Sequence, residues 1–226
     1  MAVPSAVTRL YRARLAAAQV ELLMRLRVLA AQQFNPADPT GSLAMMSRIA
    51  GGWATAAQAL FAAETATWLA ALVAEATGMP LGGVAPFAVP PVAGSTASGR
   101  PVEDLAGMAP AVYLNRRAAG WEELQAAAAG MSWLERLLAS EPFRAANATT
   151  IANAEADDRL TGRYGRVTRD GACRFCADIA DRGYIEGRAG FEAHAYCRCT
   201  ATPEIITRVY SRAAIRRARI LTGGPS

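Results

Sequence analysis

The four cysteines of the chain are Cys173, Cys176, Cys197 and Cys199, and its one histidine, His194, lies among them. They fall into two groups of equal internal gap: Cys173-Arg-Phe-Cys176, then His194-Ala-Tyr-Cys197, with Cys199 two residues on. A two-residue gap lets one turn present both side chains to a single ion. Soft and borderline donors in two such groups match what tetrahedral Zn2+ requires. Five candidates compete for four places: Cys173 and Cys176 take two, and His194, Cys197 and Cys199 compete for the others. Residues i and i+2 of an extended strand share a face, so Cys197 and Cys199 can both bind and leave His194 outside the ligand set. Two other chemistries use the same residues. One is plain buried or disulfide-paired thiols. The other is a nucleophilic Cys199 or Cys197 with His194 as its base, but a single histidine cannot serve both as ligand and as base. A secreted disulfide scaffold spreads its cysteines through the fold, whereas this cluster is tight and reads as a structural zinc site. There is no HExxH, no GxSxG, no GxxxxGK[ST] and no GxGxxG ahead of a helix, which removes the common peptidase, hydrolase and nucleotide-binding signatures.

A second group of residues suits a polyanion. All 24 basic residues are arginine, and the net charge of +5 is uneven. Residues 1–160 hold 12 arginines and 13 acids, whereas residues 161–226 hold 12 arginines and 6 acids. Arg208, Arg212, Arg216 and Arg219 recur at helical spacing and would form one basic stripe on a final helix, about Glu204–Leu221. Such a stripe is either a solvated face or a surface for a polyanion such as DNA or for an acidic protein. Glu122-Glu123 and Asp157-Asp158 are adjacent pairs whose side chains diverge, so both read as surface charge. Trp53, Trp68, Trp121 and Trp133 all sit in helical segments and read as core or interface fillers. Phe175, between the first two cysteines, is expected to pack beneath the metal.

The elements that must carry these residues are mainly helical. Ala supplies 52 of the 226 residues, and Ala has the best helix propensity. From Ser5 to Gln33 the apolar stripe Val7, Tyr11, Leu15, Ala18, Leu22, Leu26, Leu29 has the period of a helix. A second stripe runs Leu43, Met46, Ala50, Trp53, Ala57, Leu60, Glu64, Thr67, Ala71 and stops at Gly78-Met79-Pro80. The pair predicts a helical hairpin, with Gly51-Gly52 a kink or a close approach of the first arm. Residues 80–101, rich in Pro and Gly, read as a linker that crosses a surface in extended form. Helices are expected at Val102–Ala118, Trp121–Ala129, Ser132–Ser140 and Pro142–Asp158. Ser132 with Glu135 would form a capping box, and Pro142 would open the last of these helices. Short strands are expected near residues 161–168, at Gly183–Glu186 and at Thr200–Ile205. The predicted organisation is residues 1–79 as a helical hairpin, 80–101 as linker, 102–160 as a helical bundle, and 161–226 as a small irregular α+β zinc module ending in the basic helix. No uninterrupted apolar run reaches the roughly 20 residues that span a bilayer. The N-terminus shows no secretory pattern, so the expectation is a chain made in a cytoplasm with no membrane partner.

The run Gly171-Ala-Cys-Arg-Phe-Cys-Ala-Asp-Ile-Ala-Asp-Arg-Gly183, with Phe191-Glu-Ala-His-Ala-Tyr-Cys-Arg-Cys-Thr-Ala-Thr-Pro203, resembles the C-terminal signature of MuF-like head-morphogenesis (minor capsid) proteins of tailed phages. Pro110-Ala-Val-Tyr113-Leu-Asn-Arg116 and the Ala-rich helices after it are also similar to that group. The resemblance covers about Val102–Pro203. Ala195 stands where that family often has Pro beside the second ligand pair. The resemblance implies a virion component inside the head near the portal, acting with portal and major capsid or scaffold protein in assembly, with packaged DNA as a further partner. Some relatives are described as capsid maturation proteases, which keeps an enzymatic alternative beside the structural one. A DNA-binding virion protein is the second alternative.

Overall fold

The structure is a computed structural model and describes residues 5–96, 98–168, 172–186, 191 and 198–206. Helix α1 spans Ala6–Gln33, with Ser5 as its N-cap accepting from the Thr8 N–H. Helix α2 spans Pro39–Thr77. Asp38 caps its start by accepting from the Gly41 N–H at 2.9 Å, Pro39 holds the first turn, and Gly78 ends it in the left-handed region at φ 69°. Helix α3 (Val102–Ala106), helix α4 (Ala109–Ala118) and helix α5 (Glu123–Ala156) follow. The expected single helix over Val102–Ala118 is therefore broken at Gly107-Met108. The three helices expected after Trp121 are one. Ser132 lies inside α5 and caps nothing, and Pro142 lies inside it rather than opening a new helix.

Pro142 has no N–H to offer the Leu138 carbonyl, which loosens that turn. Gln19 of α1, fully buried, donates through Nε2 to the next carbonyl, Ala139 O, at 2.5 Å. The helix continues through its proline with buried residues on both sides, Leu134 and Leu138 before it and Phe143 and Ala146 after it.

Two apolar clusters lie end to end along the α2–α5 pair. One joins Tyr11 and Leu15 to Phe61, Leu69 and Val73, and to Phe143 and Ala146. The other joins Leu26 to Leu43, Met46 and Ala50, and to Leu134 and Leu138. The α1 stripe read from sequence faces these clusters: Tyr11, Leu15 and Leu26 are buried, and Val7, Ala18, Leu22 and Leu29 are packed at the margin. Tyr11 stacks on Trp68 with centroids 4.4 Å apart. The α2 stripe holds to Trp53, and Leu69, Leu72 and Val73, expected to widen it near its end, do lie in or against the core. Beyond Trp53 the buried face runs Ala54, Gln58, Phe61, Thr65, Leu69, Val73, while Leu60 and Thr67 are exposed. Polar Gln58 and Thr65 interrupt the apolar period there, so the sequence pattern slides onto the neighbouring face. By length and composition α2 could cross a bilayer, which a search for uninterrupted apolar runs passes over. In this fold it is the central helix, packed on α1, α3, α4 and α5.

Gly51 does mark a close approach, but by α3. A Cβ there would stand 3.3 Å from Glu103 Cα and 3.4 Å from Ala106 Cβ. Residues 80–101 cross the surface as expected, with one 3-10 turn at Leu81–Gly83 and an isolated bridge between Ser95 and Pro101. Val84 and Phe87 of this segment are buried in the first cluster.

The chain then forms a three-stranded antiparallel sheet of order β2-β1-β3, from β1 (Leu160–Val167), β2 (Ile185–Glu186) and β3 (Thr200–Ile205). Helix α6 (Arg174–Ala180) lies between β1 and β2 in sequence. The protein is mainly helical with one small antiparallel sheet. Glu204 and Ile205 belong to β3, which corrects the expected start of the final helix. The remainder of that helix lies outside the described residues.

Candidate functional site at the sheet and the cysteine cluster

Strand β1 carries Tyr164 and Arg166 on one face, since alternate residues of a strand point the same way. Both are buried. In register, Tyr164 lies opposite Pro203 and Arg166 opposite Ala201. Phe191 returns to this face, with its ring centroid 6.0 Å from that of Tyr164 and the Arg166 guanidinium 3.9 Å above it. Cys176, one turn into α6, and Cys199, immediately before β3, come together in one buried cluster with Ala172 and Phe191 at its edge. They are 1% and 2% exposed. Arg166 Nη1 lies 3.8 Å from Cys176 Sγ. That contact is a hydrogen bond donated by the guanidinium to the sulfur.

Cys173 is the N-cap residue of α6 and is exposed, outside the buried cluster. Phe175 is 45% exposed, so it does not pack beneath the sulfurs; Phe191 takes that place. Among the described residues no group of three or more His, Cys, Asp or Glu stands close enough to hold a metal ion. His194 and Cys197 lie outside the described residues, as do Arg208, Arg212, Arg216 and Arg219. Of the five candidates, the structure brings Cys176 and Cys199 together.

Sequence reasoning missed Arg166, Phe191 and Asn147. Arg166 is an arginine inside a short strand whose neighbours Tyr164 and Gly165 are also buried, a pattern no motif flags. Asn147 of α5 accepts from the Ala201 N–H at 2.8 Å and donates to Cys199 O at 3.2 Å. Those two backbone groups lie on the outer edge of β3, and the carboxamide pairs with them as a neighbouring strand would. The same device recurs twice. Asn153 accepts from the Ala88 N–H and donates to Ala88 O. Gln58 accepts from the Gly94 N–H and donates to Ser95 O. Buried carboxamides on α2 and α5 thereby fasten both the extended crossing and the sheet to the helices.

Glu141, one residue before Pro142, is also buried. Arg144 Nη1 donates to it at 2.7 Å, and Gln58 Nε2 lies 3.4 Å from its other oxygen. Loss of water raises its carboxyl above the usual carboxylate range, with Arg144 opposing. Asp157, at the junction of α5 and the sheet, is held below that range chiefly by hydrogen bonds from Arg159.

Residues 111–214, a little under half the chain, match the family model of the VG15 protein. The matched segment contains α5, the sheet and all four cysteines. The match supports a phage-encoded protein. No curated protein and no solved structure matches the chain.

Proposed function

We propose that this phage-encoded chain is a non-enzymatic minor capsid protein of the MuF-like head-morphogenesis kind, acting inside a tailed-phage head near the portal. The observation that carries the reading is a coincidence of segments. The stretch that matches a phage family model is the stretch that carries the cysteine signature and the sheet. In this reading the helical body offers faces to portal and to major capsid or scaffold protein, and the last third is a rigid terminal surface. The basic residues Arg208, Arg212, Arg216 and Arg219 would lie against packaged DNA.

The same reading gives the module a structural Zn2+. Cys173 and Cys176 would hold it with two of His194, Cys197 and Cys199, and Cys173, which stands exposed outside the Cys176–Cys199 cluster, would have to turn inward on binding. The burial of Cys176 with Cys199, and the Arg166 guanidinium beside Cys176, suit thiolate ligands. When bound, the ion supplies folding free energy to a module with little apolar core of its own. Whichever four of the five residues bind, either every thiol is a ligand or His194 is, so no free thiol keeps a free His194 as its base, which separates this reading from a maturation protease.

The test is co-expression with the portal protein encoded beside it, followed by pull-down and metal analysis of the complex. The expected result is co-elution with portal and about one zinc per chain, the content of a single four-ligand site. A metal-free chain with a thiol that alkylates rapidly at neutral pH would favour the protease. Retention of DNA without portal would favour a DNA-binding virion protein.

A further inference from the structure

Arg166 stands in β1 and is 8% exposed, a depth that arginine seldom reaches. Two contacts hold its flat group there. One face lies on the Phe191 ring at 3.9 Å, and Nη1 donates to the Cys176 sulfur at 3.8 Å. In register Arg166 is opposite Ala201, two positions past Cys199. It thus reaches one sulfur of the buried pair directly and sits on the strand that neighbours the other. Arg174, next to Cys173 in the chain, does the opposite: it is solvated and reaches Asp178 at 3.7 Å.

A cation taken this far from water is destabilising unless negative charge and hydrogen bonds offset it. The zinc site proposed above would supply that charge. Zn2+ held by three thiolates and a neutral imidazole carries one net negative charge, and held by four thiolates it carries two. Such a centre is itself costly to bury alone, so cation and centre stabilise each other. A thiolate ligand also keeps lone pairs beyond the one it gives the metal. A donor on one of them fixes the direction of the side chain and tempers its charge, and outer partners of this kind govern metal affinity. A guanidinium suits the role better than an ammonium, because its edge can donate while its face stacks. Phe191 holds the face and leaves the Nη1 edge for the sulfur.

We infer that Arg166 is the positioning residue of the cysteine centre: it holds the Cys176 sulfur as a ligand, balances the charge of the centre, and so sets its affinity for zinc. This role rests on the zinc reading and adds to it a residue outside the Cys/His set. The test uses the full chain, with Zn2+ and Co2+ as probes. Zinc affinity is read by competition with a chromophoric chelator, and the Co2+ spectrum reports sulfur-to-metal charge transfer. Arg166→Met keeps an unbranched stem against Phe191 and removes both charge and donor. It should weaken zinc binding about 10–100-fold. It should also move the charge-transfer band to longer wavelength, because a sulfur without its donor gives up electron density more readily. Arg166→Lys restores a charge and a donor and should recover most of both effects. Phe191→Leu removes the stack and leaves the donor, so the band should stay in place. Circular dichroism checks native helix content in each variant, and Arg166→Gln, with the same expected loss of affinity, replaces Arg166→Met if that variant misfolds. A charge-removing variant that binds zinc as tightly as the parent would overturn the inference. So would equal losses in Arg166→Met and Arg166→Lys with a parent-like cobalt band, which assign Arg166 to packing alone. A parent chain that takes up neither metal removes the zinc reading and this role together, so the parent tells the two failures apart.

Discussion

The helical body and the sheet module are held together by different forces. In the body, long stripes on α1, α2 and α5 meet along two apolar clusters whose members are almost wholly buried. In the module, the cluster is Cys176 and Cys199, with Ala172 and Phe191 at the margin. Burial scales with contiguous apolar surface, so the body is stabilised by water exclusion and the module by directional contacts. Asn147 supplies two of those contacts, and the Arg166–Phe191 stack supplies another.

The largest effect that can break this contrast is a deletion in the body. Phe61 is 1% exposed and meets Phe143 edge-on at 5.3 Å. Phe61→Ala should cost about 3–5 kcal/mol, read as a lower urea midpoint. Because β1 and β3 rest on α5, amide exchange should rise in helices and strands together. Protection that survives in the strands would show the module to be independent of the body. The complementary change is Asn147→Ala, which leaves the edge of β3 without its partner and should cost about 1–3 kcal/mol. Exchange should then rise in β1 and β3 while α2 stays protected. An equal rise in α2 would erase the distinction between the regions.

A third change probes how closely the body is packed. A Cβ at Gly130 of α5 would stand 2.9 Å from Leu43 Cδ1 and 3.0 Å from the Ala109 carbonyl oxygen. The carbonyl is backbone and cannot swing aside. Gly130→Ala should therefore destabilise by about 1–3 kcal/mol, even though Ala is the better helix former by about 1 kcal/mol. A higher urea midpoint in the variant would mean that α4 shifts freely and that the packing there is looser than the geometry implies.

The same contrast governs how much of the molecule is legible in the sequence. The α1 stripe reads directly because Tyr11, Leu15 and Leu26 keep its period even though polar Thr8 and Gln19 are buried beside them. The α2 stripe reads to Trp53 and then slides, because Gln58 and Thr65 occupy core positions. They do so for reasons that exist only in three dimensions: Gln58 grips Gly94 and Ser95, and Thr65 donates to Phe61 O and pairs with Tyr11 Oη. Pro142 reads as a helix start because local chemistry favours it there, whereas in the fold the buried face of α5 runs on through it, from Leu134 and Leu138 to Phe143 and Ala146. In the module, β3 reads as Thr200–Ile205, the range it takes, although the helical spacing that follows also claims Glu204 and Ile205. The cysteine pattern joined Cys176 first to Cys173 and left Cys199 competing with His194 and Cys197; the structure brings Cys176 to Cys199 and leaves Cys173 exposed, and the pattern also placed Phe175 beneath the sulfurs. Spacing in sequence says which residues can meet and does not say which aromatic ring will cover them.

Two carboxylates sharpen the comparison further, because the body and its junction with the module should respond to acid with opposite sign. Glu141 sits in the body, and loss of water raises its carboxyl above the ordinary range. Its folded form holds a proton more tightly than its unfolded form. The stability it contributes is present below the unfolded carboxylate value and is lost as pH rises through the folded value. Asp157 sits at the junction and is held low by Arg159. Its contribution is present above the unfolded value and is lost as pH falls through the folded value. Urea midpoints over a pH series should therefore separate the two. Relative to Glu141→Gln, the parent protein should lose ground as pH climbs from the acid side through the carboxylate range, then level off. Relative to Asp157→Asn, it should gain ground over its own, more acidic window. A parent-minus-Glu141→Gln difference that grows with pH would mean that the Arg144 ion pair outweighs burial. The polar seam around Glu141, Gln58 and Arg144 would then stabilise the body as charge does at the Asp157 junction, and the division between the two regions would have to be redrawn at α5.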